Sequence, residues 1–122
     1  AVTDVTGFGL LGHLKEVCEN SNVSSKINFQ DLLFIDGAKE LAMSGVMPGG
    51  TKRNLKSVEK VVSFNDHLSE IEQLLSADAQ TSGGLLVSMP LEDARSYVKK
   101  VNGQTAIIGQ ITEKKPYLIK VY

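Results

Sequence analysis

The chain has 122 residues, 42% of them hydrophobic and 22% charged, with a formal net charge of -1. That length suits one domain with its own core rather than two, and the charge balance offers no basic excess to neutralise a nucleic-acid backbone. No apolar run reaches membrane-spanning length, no signal-peptide pattern opens the chain, and the single cysteine, Cys18, can form neither an internal disulfide nor a thiolate metal cluster. No nucleic-acid or membrane partner is therefore expected, and a cytoplasmic protein is.

In chain order, apolar residues at Leu10, Leu11, Leu14, Val17 and Cys18 predict an amphipathic helix from Gly7 to about Glu19, ended by Glu19-Asn20-Ser21-Asn22. Ser25 to Phe29 reads as a short strand with Ile27 and Phe29 on one face. Asp31 to Ser44 mixes helical segments and stops at Gly45, and Met47 to Lys56, which contains Pro48-Gly49-Gly50, reads as loop. Val58 to Phe64 is a candidate strand. Leu68, Ile71, Leu74 and Leu75 predict a helix capped by Asn65 or Asp66. A polar loop, Asp78 to Gly84, precedes Leu85 to Met89, whose apolar run fits a strand buried on both faces. Ala94, Tyr97, Val98 and Val101 mark a further helix. Thr105–Thr112 and Tyr117–Tyr122 then read as a hairpin about Glu113-Lys114-Lys115-Pro116. Strands alternating with helices before an antiparallel pair predict an α/β fold, an α+β sandwich with a mixed sheet, over 1–122 as a single domain.

Three segments carry chemistry. In Thr3-Asp4-Val5-Thr6-Gly7-Phe8-Gly9, a carboxylate stands where a strand hands over to a helix N-terminus, an end that offers N–H groups and partial positive charge to anions. Asp4 is a hard oxygen donor suited to Mg²⁺ beside phosphates; the plainer alternative is that Asp4 or Thr6 caps the helix. Gly45 to Asn54 pairs glycines with Thr51, Lys52, Arg53 and Asn54, either an anion-binding concavity or a surface turn, and it lacks Walker A spacing. Asp78-Ala79-Gln80-Thr81-Ser82-Gly83-Gly84 brings a ligand or another segment close to a strand start, or forms a self-bonded loop; Ser82 has no evident base partner. His13 reads as a partly buried packing residue, His67 as solvated, and Cys18 as a small core hydrophobe.

Taken together, the run from Thr3 to Leu14, Pro48-Gly49-Gly50-Thr51 with Asn54, and Gln80-Thr81-Ser82-Gly83-Gly84-Leu85-Leu86 resemble the C-terminal domain of the selenophosphate synthetase (selenide, water dikinase) family, within the aminoimidazole ribonucleotide synthetase superfamily. The resemblance extends over essentially the whole chain. It implies a parent enzyme that makes selenophosphate, AMP and phosphate from selenide, ATP and water, with Mg²⁺ screening the triphosphate. It also implies Asp4 as the domain's metal ligand, with Thr3, Thr6, Gly7, Gly49, Gly50, Thr51, Asn54, Ser82 and Gly83 lining the phosphate side of an interdomain cleft. No catalytic residue is assigned within these 122 residues. Ala79 departs from the family pattern, which usually has proline there.

The absence of an initiator methionine at Ala1 reads as a piece of something longer. On the resemblance, the missing N-terminal domain carries the ATP-binding part, the reactive cysteine or selenocysteine with its lysine, most aspartate metal ligands and the main dimer interface of a homodimeric parent. One carboxylate cannot hold several Mg²⁺ ions and a triphosphate, so the fragment is expected to fold without catalysing. The competing readings are another ATP-dependent enzyme of the same superfamily and a non-catalytic binding module.

Overall fold

In the computed structural model, which describes residues 1–101 and 103–122, two sheets organise the chain. The elements are β1 (Val2–Asp4), α1 (Gly9–Ser21), β2 (Ser24–Ile27), a 3-10 turn (Phe29–Asp31), α2 (Ala38–Met43), α3 (Gly49–Val58), β3 (Val62–Phe64), α4 (Glu70–Ser76), β4 (Leu85–Val87), α5 (Leu91–Lys100), β5 (Gly109–Thr112) and β6 (Ile119–Val121). The larger sheet has the order β3-β6-β2-β5; β6 runs parallel to both neighbours, and β5 is an antiparallel edge. The smaller is an antiparallel pair of β1 and β4 with Asp4 opposite Leu85. This is the expected α/β class, with a mixed sheet packed by helices.

The core forms where the apolar stripe of α1 meets the sheet. Leu11, Leu14 and Cys18 are buried together with Ile27, Val58, Leu75, Ile119 and Val121. Helix α1 ends as its residues require: Asn22 takes the left-handed conformation at φ 51° and its N–H reaches the carbonyls of Cys18 and Glu19, a role that asparagine tolerates better than most residues. Burial pushes the Cys18 thiol above its ordinary range, against smaller opposing effects of the Ser25 hydroxyl and Lys114, so it is a core side chain as expected.

Several expected elements change. The hairpin of 105–112 with 117–122 is not formed, because β2 lies between β5 and β6. Ile119 and Val121 are fully buried, while β5 is largely exposed, so burial places β6 inside the sheet and leaves β5 at its edge. The stretch expected as loop from Met47 to Lys56 is mostly helix α3. Its inward positions are Thr51, Asn54 and Val58, so two polar residues conceal the helical stripe that hydrophobicity would otherwise show. Strand β4 is not buried on both faces: Leu85 is 66% exposed and Leu86 packs on the core. Val58 closes α3 rather than opening a strand, and only Val62–Phe64 is extended. Helix α4 is capped by Ser69, not Asn65 or Asp66. Among the described residues, no helix is long and apolar enough to cross a membrane.

Candidate functional site

The three sequence segments fold against one another. Val5 N–H donates to the Gly84 carbonyl at 2.9 Å, continuing the β1–β4 pairing into the loop. The Thr6 carbonyl then accepts the N–H of Gly9 at 2.9 Å and that of Gln80 at 3.2 Å. Close approach requires glycine at two places. Gly9 has φ +69° and a Cβ there would stand 2.6 Å from the carbonyl oxygens of Ala77 and Asp78; at Gly83 it would overlap the Val5 carbonyl oxygen.

Helix α3 supplies the clamp. Asn54 Nδ2 donates to the Gly7 carbonyl at 2.8 Å and to the Ala77 carbonyl at 3.1 Å. One amide thereby ties the first segment to Ala77, the residue that leads into the third. The Thr51 hydroxyl donates to Asp78 Oδ1 in a short bond, and Ala79 N–H reaches Thr51 Oγ1 at 3.5 Å. Thr51 is fully buried and Asn54 nearly so. The Thr51 hydroxyl and Asn54 Nδ2 meet protein partners, so the two side chains build the junction from within.

The outer layer has different properties. Asp4 is exposed at the end of β1, and its carboxylate makes no hydrogen bond among the described residues. It does not cap α1: the residue at the cap position is Phe8, and among the described residues no side-chain cap bonds that helix end. The alternative in which Asp4 or Thr6 serves as a helix cap is thereby overturned. Thr3 is half-buried with its hydroxyl directed to the Asp4 carbonyl at 3.3 Å. Gly7, Gly49 and Ser82 are exposed, Gly50 and Gly83 partly so. The Arg53 guanidinium folds back over the first turn of α3, near Gly49 and Gly50.

The chain matches the family described as AIR synthase related protein, C-terminal domain, over residues 1–121. It belongs to that family. Curated relatives include proteins named selenide, water dikinase from Aliarcobacter butzleri, 42% identical over 113 residues, from Haemophilus ducreyi, 40% identical over 119, and from Myxococcus xanthus, 42% identical over 119. These alignments cover 89%, 95% and 95% of this chain, and 32%, 34% and 34% of the respective relatives. The chain thus spans about a third of the length of the relatives it matches.

Within this AIR synthase related C-terminal domain, the donor set can be tested for a metal. Asp4 is a free, exposed carboxylate, the right donor for a hard cation. Among the described residues no group of three or more His, Cys, Asp or Glu is placed to hold a metal ion. The residues fit one contributed ligand, not a whole cage. His67 is exposed, as expected. His13 is buried as expected, but with a tie that packing alone does not account for: its Nε2 lies 3.1 Å from Thr6 Oγ1 and its Nδ1 3.8 Å from Glu16 Oε2. Sequence reading missed Glu16 as a companion of His13; their i,i+3 spacing was the available signal.

Proposed function

We propose that this chain is the C-terminal part of a selenide, water dikinase, and that the Asp4 junction is its contribution to a shared metal–phosphate site. The observation that carries the reading is the convergence of the three motifs. Segments 3–9, 49–54 and 78–84, with Ala77, are bonded into one glycine-lined junction that leaves the Asp4 carboxylate exposed and without a hydrogen-bond partner among the described residues. The name carried by relatives at about 40% identity supports the reaction class.

On this reading, Asp4 gives one oxygen ligand to Mg²⁺, and the rest of the protein supplies the others. The cation screens the charge of the ATP phosphates when bound. Thr3, Thr6, Gly7, Gly49, Gly50 and Gly83 keep bulk away from the phosphate path, Ser82 offers it a hydroxyl, and Thr51 and Asn54 hold its wall in register. ATP and selenide are the substrates of the whole protein, its N-terminal domain is the principal partner of this chain, and the whole is a cytoplasmic homodimer.

The test is ATP- and selenide-dependent AMP release by the full-length protein. Asp4→Ala is expected to lower it on the order of 100-fold, the scale of removing one charge-stabilising group from a preorganised site, with thermal unfolding unchanged. Mg²⁺-dependent turnover equal to that of the parent defeats the role of Asp4. The 122 residues alone are expected to release no AMP, and turnover by them would overturn the shared-site reading.

A further inference from the structure

Of the five buried residues of α1, Gly9, Leu11, His13, Leu14 and Cys18, His13 alone carries a strong hydrogen-bonding side chain. A leucine there would continue the apolar stripe, and burying an imidazole is unfavourable unless its nitrogens are met. His13 is 8% exposed. Its Nε2 meets the Thr6 hydroxyl at 3.1 Å, the Glu16 carboxylate stands 3.8 Å from Nδ1, and the Phe8 ring lies across the outer side with ring centroids 5.9 Å apart.

The Thr6 backbone is tied at its carbonyl, which takes the N–H groups of Gly9 and Gln80, so the direction of the hydroxyl remains to be set. That hydroxyl is two residues from Asp4 and only half-buried. In the neutral ring, a carboxylate 3.8 Å from Nδ1 favours the proton on that nitrogen, which leaves Nε2 as the acceptor. The Thr6 O–H then donates inward, and the oxygen has only lone pairs left to offer.

We propose that His13 is a positioning residue that fixes the Thr6 hydroxyl as an inward donor, so that Thr6 presents an acceptor to the water shell of a divalent cation at Asp4 rather than a donor to phosphate. This rests on the metal–phosphate reading of the junction and assigns Thr6 its side of that site. His13 acts through Thr6.

Two measurements on the full-length protein test it. With nitrogen-15-labelled histidine, His13 signals are assigned by their loss in His13→Gln. The expected result is the Nδ1–H tautomer in the parent and a tautomer mixture in Glu16→Ala. An Nε2–H tautomer, an imidazolium, or a pattern unmoved by Glu16→Ala overturns the proposal. In turnover assays, His13→Leu and Thr6→Val are each expected to raise the apparent Mg²⁺ requirement about 10-fold or more, as losses of outer-shell partners do. The double variant should be no worse than either alone. His13→Gln, whose amide reaches the Nε2 position, should restore most of the effect, a rescue that a purely packing role does not predict. Additive losses, or a glutamine no better than leucine, overturn it. A parent without ATP turnover defeats the dikinase reading instead, and the tautomer measurement still decides the His13–Thr6 tie. Leucine suits the apolar face of α1, and the glutamine and tautomer arms decide if that variant unfolds.

Discussion

Gly83 shows how little room the junction leaves at the scale of one residue. Its Cα faces the Val5 carbonyl so closely that a methyl group would overlap the oxygen, with Gln80 Oε1 crowding the other side at 2.6 Å. Gly50 is the natural contrast, since a Cβ there would meet Ala79 Cβ at an ordinary 3.4 Å. Gly83→Ala is expected to cost about 1–3 kcal/mol, the range for overpacking, whereas Gly50→Ala should be close to neutral or slightly stabilising, as replacing glycine within a helix generally is. Urea unfolding of the two variants checks this, and equal costs would show that the Gly83–Val5 contact is not tight. The same scale explains why Thr51 and Asn54 differ from Asp4. Two side chains spend their hydrogen-bonding capacity inward, and one keeps its carboxylate outside.

Among the elements, α4 is the best specified by local sequence. Ser69 Oγ accepts the Glu72 N–H at 3.3 Å while Glu72 Oε2 accepts the Ser69 N–H at 2.8 Å, a reciprocal capping box. Those bonds from Ser69, backbone first and side chain second, hold the Glu72 carboxyl below its ordinary value of 4.5. A depressed folded-state pKa makes the contribution present above that ordinary value and lost as pH falls through the lower one. Ser69→Ala is expected to destabilise by about 1 kcal/mol near neutral pH, the usual worth of a cap. The gap between variant and parent should narrow on acidification below 4.5. A gap that widens there would contradict the assignment. Helix α1 was legible because Leu10, Leu11, Leu14, Val17 and Cys18 keep helical spacing, and the Asp4 junction because its residue types recur as a motif. Helix α3 was not, because two of its three buried positions are Thr51 and Asn54, polar residues whose partners lie in distant segments. The pairing of β6 was not either: its position is decided by the burial of Ile119 and Val121, which local turn chemistry cannot register. The candidate site was legible as three segments and illegible as one junction, since the Asn54 bridge exists only in three dimensions.

For the molecule as a whole, large apolar side chains remain in water. Leu33, Ile35, Leu41, Met43 and Val46 are exposed around α2, and Val2, Phe8 and Leu85 near Asp4. Exposed apolar surface of this kind marks contact regions in soluble proteins. The 122-residue chain on its own is expected to bind a hydrophobic dye and to self-associate with rising concentration, measured by light scattering after size exclusion. Paired Ile35→Lys and Met43→Lys changes should reduce both. A monomer at all concentrations, without dye binding, would mean that this surface is inert.

The last strand in chain order, Ile119–Val121, lies between β2 and β3 and is parallel to both. During synthesis, every earlier element leaves the ribosome before the strand that joins them. Until it arrives, β2 and β3 each face the vacancy with an unpaired edge, and the apolar side of α1 lacks Ile119 and Val121 to close on. Completion of the larger sheet is therefore set by long-range contact, of the kind that makes folding slow and leaves sticky intermediates waiting. A nascent polypeptide with this topology has a definite period of vulnerability, and it ends only when residues 119–121 dock.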